Sequence, residues 1–204
     1  FARIMAHLFR EVPLHVFLPW ERVARIAALP VLVREIRCPL ESTQLLMKQG
    51  RVLESMGYAP AIQRAENACN FFREREGRRR NVYYEQKQFR VPETQESYTA
   101  DALLDLLHDS PELFSPNVAL RPIVQQQLFP VAAYVAGPGE IAYWAQLKPL
   151  FNFFGQPMPV VYPRARCVIN TVKTSQLLRQ SDLDSVAVMK NEDFLARTLR
   201  AAAS

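Results

Sequence analysis

The residues from Leu120 to Arg166 constrain the fold most. A short apolar run, Val131 to Ala136, meets the turn Gly137-Pro138-Gly139-Glu140. A strongly periodic helical run follows, and then a second apolar run, Met158 to Tyr162. This spells strand, turn, helix and strand. Two parallel strands need a crossover of this kind, because a tight turn reverses the chain direction. The expectation is an α/β fold in which ligands gather at the carboxyl end of the strand.

The turn is the candidate site. Gly137 and Gly139 can take backbone angles closed to other residues and leave no side chain in the way. Glu140 falls in the first helical turn, where a carboxylate suits the helix dipole. The N–H groups of residues 139–142 are expected to point toward a ligand. The plainer alternative is a connecting turn with a capping carboxylate. The pattern is neither GxGxxG nor a GxxxxGK[ST] loop. Tyr134 and Tyr143 flank the turn. Each could stack on a flat ligand or donate a hydrogen bond, or be a half-buried tyrosine with a wet tip. Arg121 and Arg164 stand at the entry and exit of the unit, and Arg grips carboxylates bidentately. Arg121 could equally pair with a structural acid.

Residues in the same stretch carry a family resemblance. The run includes Leu120-Arg121-Pro122, Ala133-Tyr134-Val135, Gly137-Pro138-Gly139-Glu140-Ile141-Ala142-Tyr143, Ala145-Gln146-Leu147-Lys148-Pro149, Phe154-Gly155, Pro157-Met158-Pro159-Val160 and Pro163-Arg164-Ala165. It resembles the BshC family, the cysteine ligases of bacillithiol biosynthesis. Phe114-Ser115-Pro116-Asn117 and Arg78-Arg79-Arg80 extend the likeness. The resemblance implies a Rossmann-like core related to class I aminoacyl-tRNA synthetases, with inserted connecting elements. It also implies a helical coiled-coil arm that pairs two chains as a homodimer. The implied reaction adds cysteine to glucosaminyl-malate, the last step to bacillithiol. Forming an amide from a free carboxylate needs activation, so ATP or another activated donor is expected. Gly137 to Glu140 would serve as nucleotide cradle, Arg164 as malate clamp, and Glu140 as candidate catalytic group. The resemblance further implies a parent more than twice this length, with this chain its middle portion and inactive alone. A structural or dimerisation module without catalysis is the alternative.

The 204 residues suit one domain, or one plus a small lobe, and divide into four segments, the third of which holds this unit. Phe1, Ile4, Met5, Leu8, Phe9 and Val12 form one apolar stripe, so the chain opens in an amphipathic helix that has no cap and reads as cut. Leu14 to Leu18 reads as a buried strand. Glu21 to Arg37 reads as a helix split or kinked at Pro30, and residues 40–56 as a helix ended by Gly57. Residues 1–57 are therefore assigned to the Rossmann-like core. Residues 58–92 turn aromatic and basic and read as a small inserted β-hairpin lobe, with strands at 70–72 and 81–84 and a third at 89–91. Residues 93–180 return to the core, with a helix at 99–108 capped by Ser97 or Thr99, another at 115–128, and the central unit. Pro149 should kink the central helix. Residues 181–204 are expected to start the coiled-coil helix. The fold class is thus α/β: a Rossmann-like parallel sheet layer, a hairpin lobe and a C-terminal helix leading into a coiled coil.

Charge and cysteines narrow the function classes. The net charge is +5, and residues 71–90 alone hold seven basic and three acidic side chains. The excess is local, so a nucleic-acid footprint along the chain is not expected. The arginine run at 78–80 reads as solvated charge in a hairpin turn. No apolar stretch escapes interruption by charge, so no membrane span is expected. Cys38, Cys69 and Cys167 are scattered without a CxxC pair. That favours a reducing compartment, the cytoplasm, over a disulfide framework or zinc site. His7, His15 and His108 have no metal-ligand spacing, Lys173-Thr174-Ser175 is too short to count as a synthetase signature, and Cys167 reads by default as a small hydrophobe.

Overall fold

A computed structural model describes residues 2–12, 17–165 and 171–180. These fall into two units, divided between Pro163 and Arg164.

The first unit begins with helix α1 (Ala2–Leu8), whose Ile4 and Leu8 side chains are exposed. The strand expected at 14–18 lies largely outside the described residues, and Phe17 and Leu18 are not in a strand. Helices α2 (Arg22–Ala27) and α3 (Leu29–Arg37) are the expected pair, divided at Ala28 just ahead of Pro30. Proline in a first helical turn gives up no backbone bond, so the break falls before it. Helix α4 (Glu41–Ser55) follows, entered through Leu40 in a left-handed conformation (φ 67°) and left through Gly57 (φ 85°).

Strands β1 (Ala68–Arg75), β2 (Arg78–Glu85), β3 (Gln88–Val91), β4 (Glu96–Tyr98) and β5 (Phe114–Pro116) build one sheet in the order β4-β3-β2-β1-β5. Every neighbouring pair in it is antiparallel. Two tight turns join the first three strands. Glu76 and Gly77 have φ of 53° and 70°, and Gln86 and Lys87 have 50° and 61°. Two consecutive positive φ values are the turn geometry whose twist matches a right-handed sheet. A 3-10 turn (Pro92–Thr94) leads into β4, and helix α5 (Ala100–Asp109) follows with Thr99 as its cap, the Thr99 hydroxyl accepting from Ala102 N at 3.2 Å.

The expected parallel layer is thereby corrected: the main sheet is antiparallel, because β1, β2 and β3 follow one another through two-residue turns that can only reverse the chain, and β4 and β5 add to its two edges antiparallel as well. The hairpin read as a small lobe is its centre. Phe71, Phe89 and Phe114 are fully buried from β1, β3 and β5, with Phe71 centred 6.4 Å and 6.2 Å from the other two rings. Leu32 and Ile36 of α3, Leu46 of α4, and Leu103 and Leu107 of α5 close the same core. The helix expected at 115–128 begins later, as α6 (Arg121–Leu128), because Phe114 to Pro116 pair with β1.

Parallel pairing survives in one place. Strands β6 (Ala133–Ala136) and β7 (Val160–Pro163) pair in parallel, from Ala133 opposite Val160 to Ala136 opposite Pro163. The crossover is two helices rather than one kinked helix: α7 (Pro138–Trp144) and α8 (Lys148–Phe153), broken ahead of Pro149. Trp144, Leu147, Leu150 and Phe151 are buried and join the core cluster. Gln146, fully buried between the two helices, accepts from Ile62 N at 2.7 Å and donates to Ile62 O at 3.1 Å.

The second unit contains α9 (Val172–Gln180), entered at Thr171, whose hydroxyl accepts from Thr174 N at 3.1 Å. Lys173, Thr174 and Ser175 are turns of this helix, not a loop. The coiled-coil helix expected from 181 onward, and Cys167, lie outside the described residues.

A buried polar network locks the helices to the sheet. Glu35 Oε1 accepts from Ser42 Oγ at 2.8 Å and from Asn70 N at 3.1 Å. Burial raises the Glu35 carboxyl above the usual carboxylate range, outweighing these hydrogen bonds and the Arg64 charge. A carboxyl that holds its proton more tightly when folded stabilises fully below its unfolded pKa, and the contribution is lost as pH rises toward the folded value. The Glu35→Gln variant keeps the accepting oxygen and cannot ionise. The difference in unfolding free energy should therefore shift in the variant's favour as pH rises above the ordinary carboxylate value of about 4.3. Urea denaturation on either side of that value reads it, and a shift toward wild type would refute it.

Candidate functional site

The turn after β6 is a capped helix start. Gly137 is the N-cap, with Glu140 three residues on. Glu140 Oε2 accepts from Gly137 N at 2.9 Å, and Oε1 accepts from the Tyr134 hydroxyl at 2.7 Å. Gly137 is extended (φ −74°), and Gly139 is not in a left-handed conformation either. The unusual backbone angles expected of the two glycines are therefore not used. The N–H groups of Glu140 and Ile141 turn back onto the Gly137 carbonyl at 3.0 Å and 2.9 Å, so those two do not point outward as expected. A Cβ at Gly139 would meet nothing within 4 Å, so packing does not demand glycine there.

Five of the seven candidate residues come together. Tyr134 and Glu140 bond directly and Gly137 closes the cap. Tyr143 is buried on α7, and Arg121 Nη2 donates to its hydroxyl at 3.2 Å from the start of α6. Tyr134 packs on Trp144 with ring centroids 4.6 Å apart. Burial first, and then the Glu140 hydrogen bond, hold the Tyr134 phenol far above its usual range, so it stays a donor. The cluster can present a guanidinium, a carboxylate and two phenols, which suits a polar or anionic ligand. Gly139 lies on the exposed side of the same turn. Arg164 is exposed and belongs to the second unit.

A cavity of about 590 Å³ opens beside Arg121, lined by residues of α2, α6, β2, β5 and the segment before α2. Sequence reasoning missed Arg25 and Trp20 in its wall and set Arg79 aside as solvated. Arg25 is buried, donating to the Phe114 carbonyl and pairing with Glu74 at 3.0 Å. Arg79 reaches the same Glu74 oxygen at 3.5 Å. Burial opposes the Glu74 charge, but the nearby Ser115 hydroxyl and the two guanidiniums outweigh it and hold the carboxyl below its usual range. One signal was readable: Arg25 follows Ala24 on the buried face of α2, and a long cation there needs a partner.

Among the described residues no group of three His, Cys, Asp or Glu could hold a metal ion, and no helix is long and apolar enough to cross a membrane. Burial raises the Cys69 thiol, which makes it a poor nucleophile.

Residues 1–165 match the family described as Bacillithiol biosynthesis BshC, N-terminal Rossmann-like domain. Several relatives carry the name "Putative cysteine ligase BshC". That of Chlorobaculum tepidum is 39% identical over 165 residues, covering 80% of this chain and 29% of the relative. That of Salinibacter ruber is 34% identical over 178 residues, 87% of this chain and 32% of the relative. That of Bacillus licheniformis is 40% identical over 124 residues, 61% of this chain and 23% of the relative. The chain thus spans less than a third of the length of these relatives.

The capping role of Glu140 has a measurable consequence. The Glu140→Ala variant loses the Gly137 cap and the Tyr134 partner together, and should cost on the order of 1–2 kcal/mol of stability. Chemical denaturation of the intact protein measures it. A cost under about 0.5 kcal/mol would show that the cap carries no weight.

Proposed function

The chain belongs to the BshC family, and from that premise we propose that the intact protein is a carbon–nitrogen ligase. It joins the carboxyl of cysteine to the amine of glucosaminyl-malate and completes bacillithiol. The observation that carries this reading is the match over residues 1–165. A carboxylate is a poor acyl donor, so the reaction needs an activated cysteine, and ATP is the donor in this reading. Pairing of two chains through a helical arm beyond residue 180, and a cytoplasmic setting where cysteines stay reduced, belong to the same reading.

The cluster at the turn fits a substrate-facing role. Arg121 is the candidate in this unit to grip a malate carboxylate, since a guanidinium matches a carboxylate in bidentate fashion, and Arg164, in the second unit, is a separate candidate for the same chemistry. Tyr143 orients Arg121 through its hydroxyl. Both Glu140 oxygens accept hydrogen bonds inside the cluster, which suits positioning of Tyr134 and the Gly137–Gly139 backbone more than proton transfer. The isolated 204-residue chain is proposed to be inactive, since it covers less than a third of the relatives.

The test incubates intact protein with cysteine and glucosaminyl-malate, with and without ATP, and weighs the products by mass spectrometry. The expected result is a bacillithiol mass with wild type only when ATP is present, cut about tenfold or more in Arg121→Ala. Absence of product under every condition sinks the ligase reading. Undiminished product in the variant removes Arg121 from the site.

A further inference from the structure

Two phenols stand between the guanidinium and the carboxylate of the turn cluster. Arg121 Nη2 donates to the Tyr143 hydroxyl at 3.2 Å, and the Tyr134 hydroxyl donates to Glu140 Oε1 at 2.7 Å. The two hydroxyls also meet. Burial and the Glu140 hydrogen bond come first among the causes that raise the Tyr134 phenol, and a hydrogen bond with Tyr143 adds to them. Local sequence brings the groups together. Glu140 and Tyr143 are three apart on α7 and share a face, and Tyr134 reaches that face from β6.

A phenol has one proton to give. Tyr134 gives its proton to Glu140, so toward Tyr143 it can only accept. Tyr143 accepts from Arg121, so its own proton is left to run to Tyr134. The donors therefore line up in one direction, from Arg121 through Tyr143 and Tyr134 to Glu140. Such a chain is charge-assisted at both ends, and hydrogen bonds in series strengthen one another. The rings are held as firmly as the hydroxyls. Buried Trp144 packs on Tyr134 at 4.6 Å and on Tyr143 at 6.5 Å between centroids, and stacks on Phe151 of the core at 5.5 Å. Capping uses only Glu140 Oε2, which takes the Gly137 N–H at 2.9 Å. The helix start does not require the Tyr134 hydroxyl on the other oxygen.

We propose that Tyr134 is a positioning residue of the substrate site: through Tyr143 it ties Arg121 to the fixed Glu140 carboxylate and sets the direction in which the guanidinium is presented. The kinetic consequence rests on the ligase reading, and the chain of hydroxyls does not.

The Tyr134→Phe variant of the intact protein tests it. It removes one hydroxyl and keeps the ring against Trp144 and the Glu140 cap on Gly137. The KM for glucosaminyl-malate should rise roughly threefold to tenfold, with kcat and the KM for cysteine unchanged. In an Arg121→Ala background the same change should add nothing, because Tyr134 acts through that guanidinium. Tyr143→Phe cuts the chain in its middle, so the double variant with Tyr134→Phe should be no worse than Tyr143→Phe alone. Urea denaturation of wild type, the two single variants and the double variant should show the same non-additivity, which reads the chain without turnover. Tyr162→Phe, exposed on β7, should change nothing. An unchanged KM, an effect that persists in Arg121→Ala, or losses that simply add in the double variant overturns the proposal. A fall in kcat alongside lowered stability marks a structural tyrosine and overturns it too. Absence of product from wild type defeats the ligase reading instead, and the denaturation cycle then decides the chain alone.

Discussion

Asn70 is the point at which the helices and the main sheet become one body. It is fully buried on β1, and every polar group it carries is answered. Its N–H bonds Glu35 of α3, and its side-chain amide donates to Ser42 at 2.8 Å and Thr43 at 2.9 Å on α4. Its side-chain oxygen accepts from Asn117 at 3.0 Å, and its carbonyl from Asn117 N at 3.0 Å. Asn117 in turn caps the chain entering α6 by accepting from Ala119 N and Leu120 N. A buried polar network of this kind is costly when one member is missing and specific when all are present. It fixes the approach of α6, and therefore of Arg121, against β1 and β5.

From that anchor, two features follow along the chain. Arg121 leaves the first turn of α6 and faces both ways: its guanidinium reaches Tyr143 of the capped turn and lines the cavity walled by Trp20 and Arg25. The turn cluster and the cavity are neighbours through one side chain. Gln146 plays the corresponding part at the other end of α7. By docking on both polar groups of Ile62, it stitches the crossover helices to the segment between α4 and β1. Gly50 of α4 faces the same contact: a Cβ there would sit 3.4 Å from Gln146 Nε2 and from Pro60, ordinary van der Waals distance.

Much of the local structure was legible in the sequence because it obeys local rules. The Thr99 cap, the split at Pro30, the break before Pro149, the turn at Glu76-Gly77 and the strand pair around Gly137-Glu140 all follow from residue chemistry within a few positions. The Tyr134–Glu140–Tyr143 neighbourhood was legible for the same reason, being one strand end and one helix start. The direction of the main sheet was not. Gln86 and Lys87 adopt positive φ without a glycine, asparagine or aspartate to announce a hairpin, and β5 reads as a helix start until β1 claims it. Arg25 and Trp20 were overlooked because their role arises from β5 and α6, 89 or more residues away, as the Arg25 bond to Phe114 shows. Pairing across such separations leaves little trace in a single sequence.

The hairpins of the main sheet and the parallel pair differ in how far the chain must travel to close them. In the antiparallel sheet, the hairpins from β1 to β3 close across two residues each, so ordering one pair brings the next into register at little further entropic cost. The parallel pair cannot begin this way. Ala133 meets Val160 only after α7, α8 and the bend at Gly155 have shortened the chain between them. Pairing over such a separation forms more slowly than a two-residue hairpin. The carboxyl end of β6, with its capped turn, therefore has no hairpin to nucleate it and depends on the two crossover helices to hold its partner strand in place.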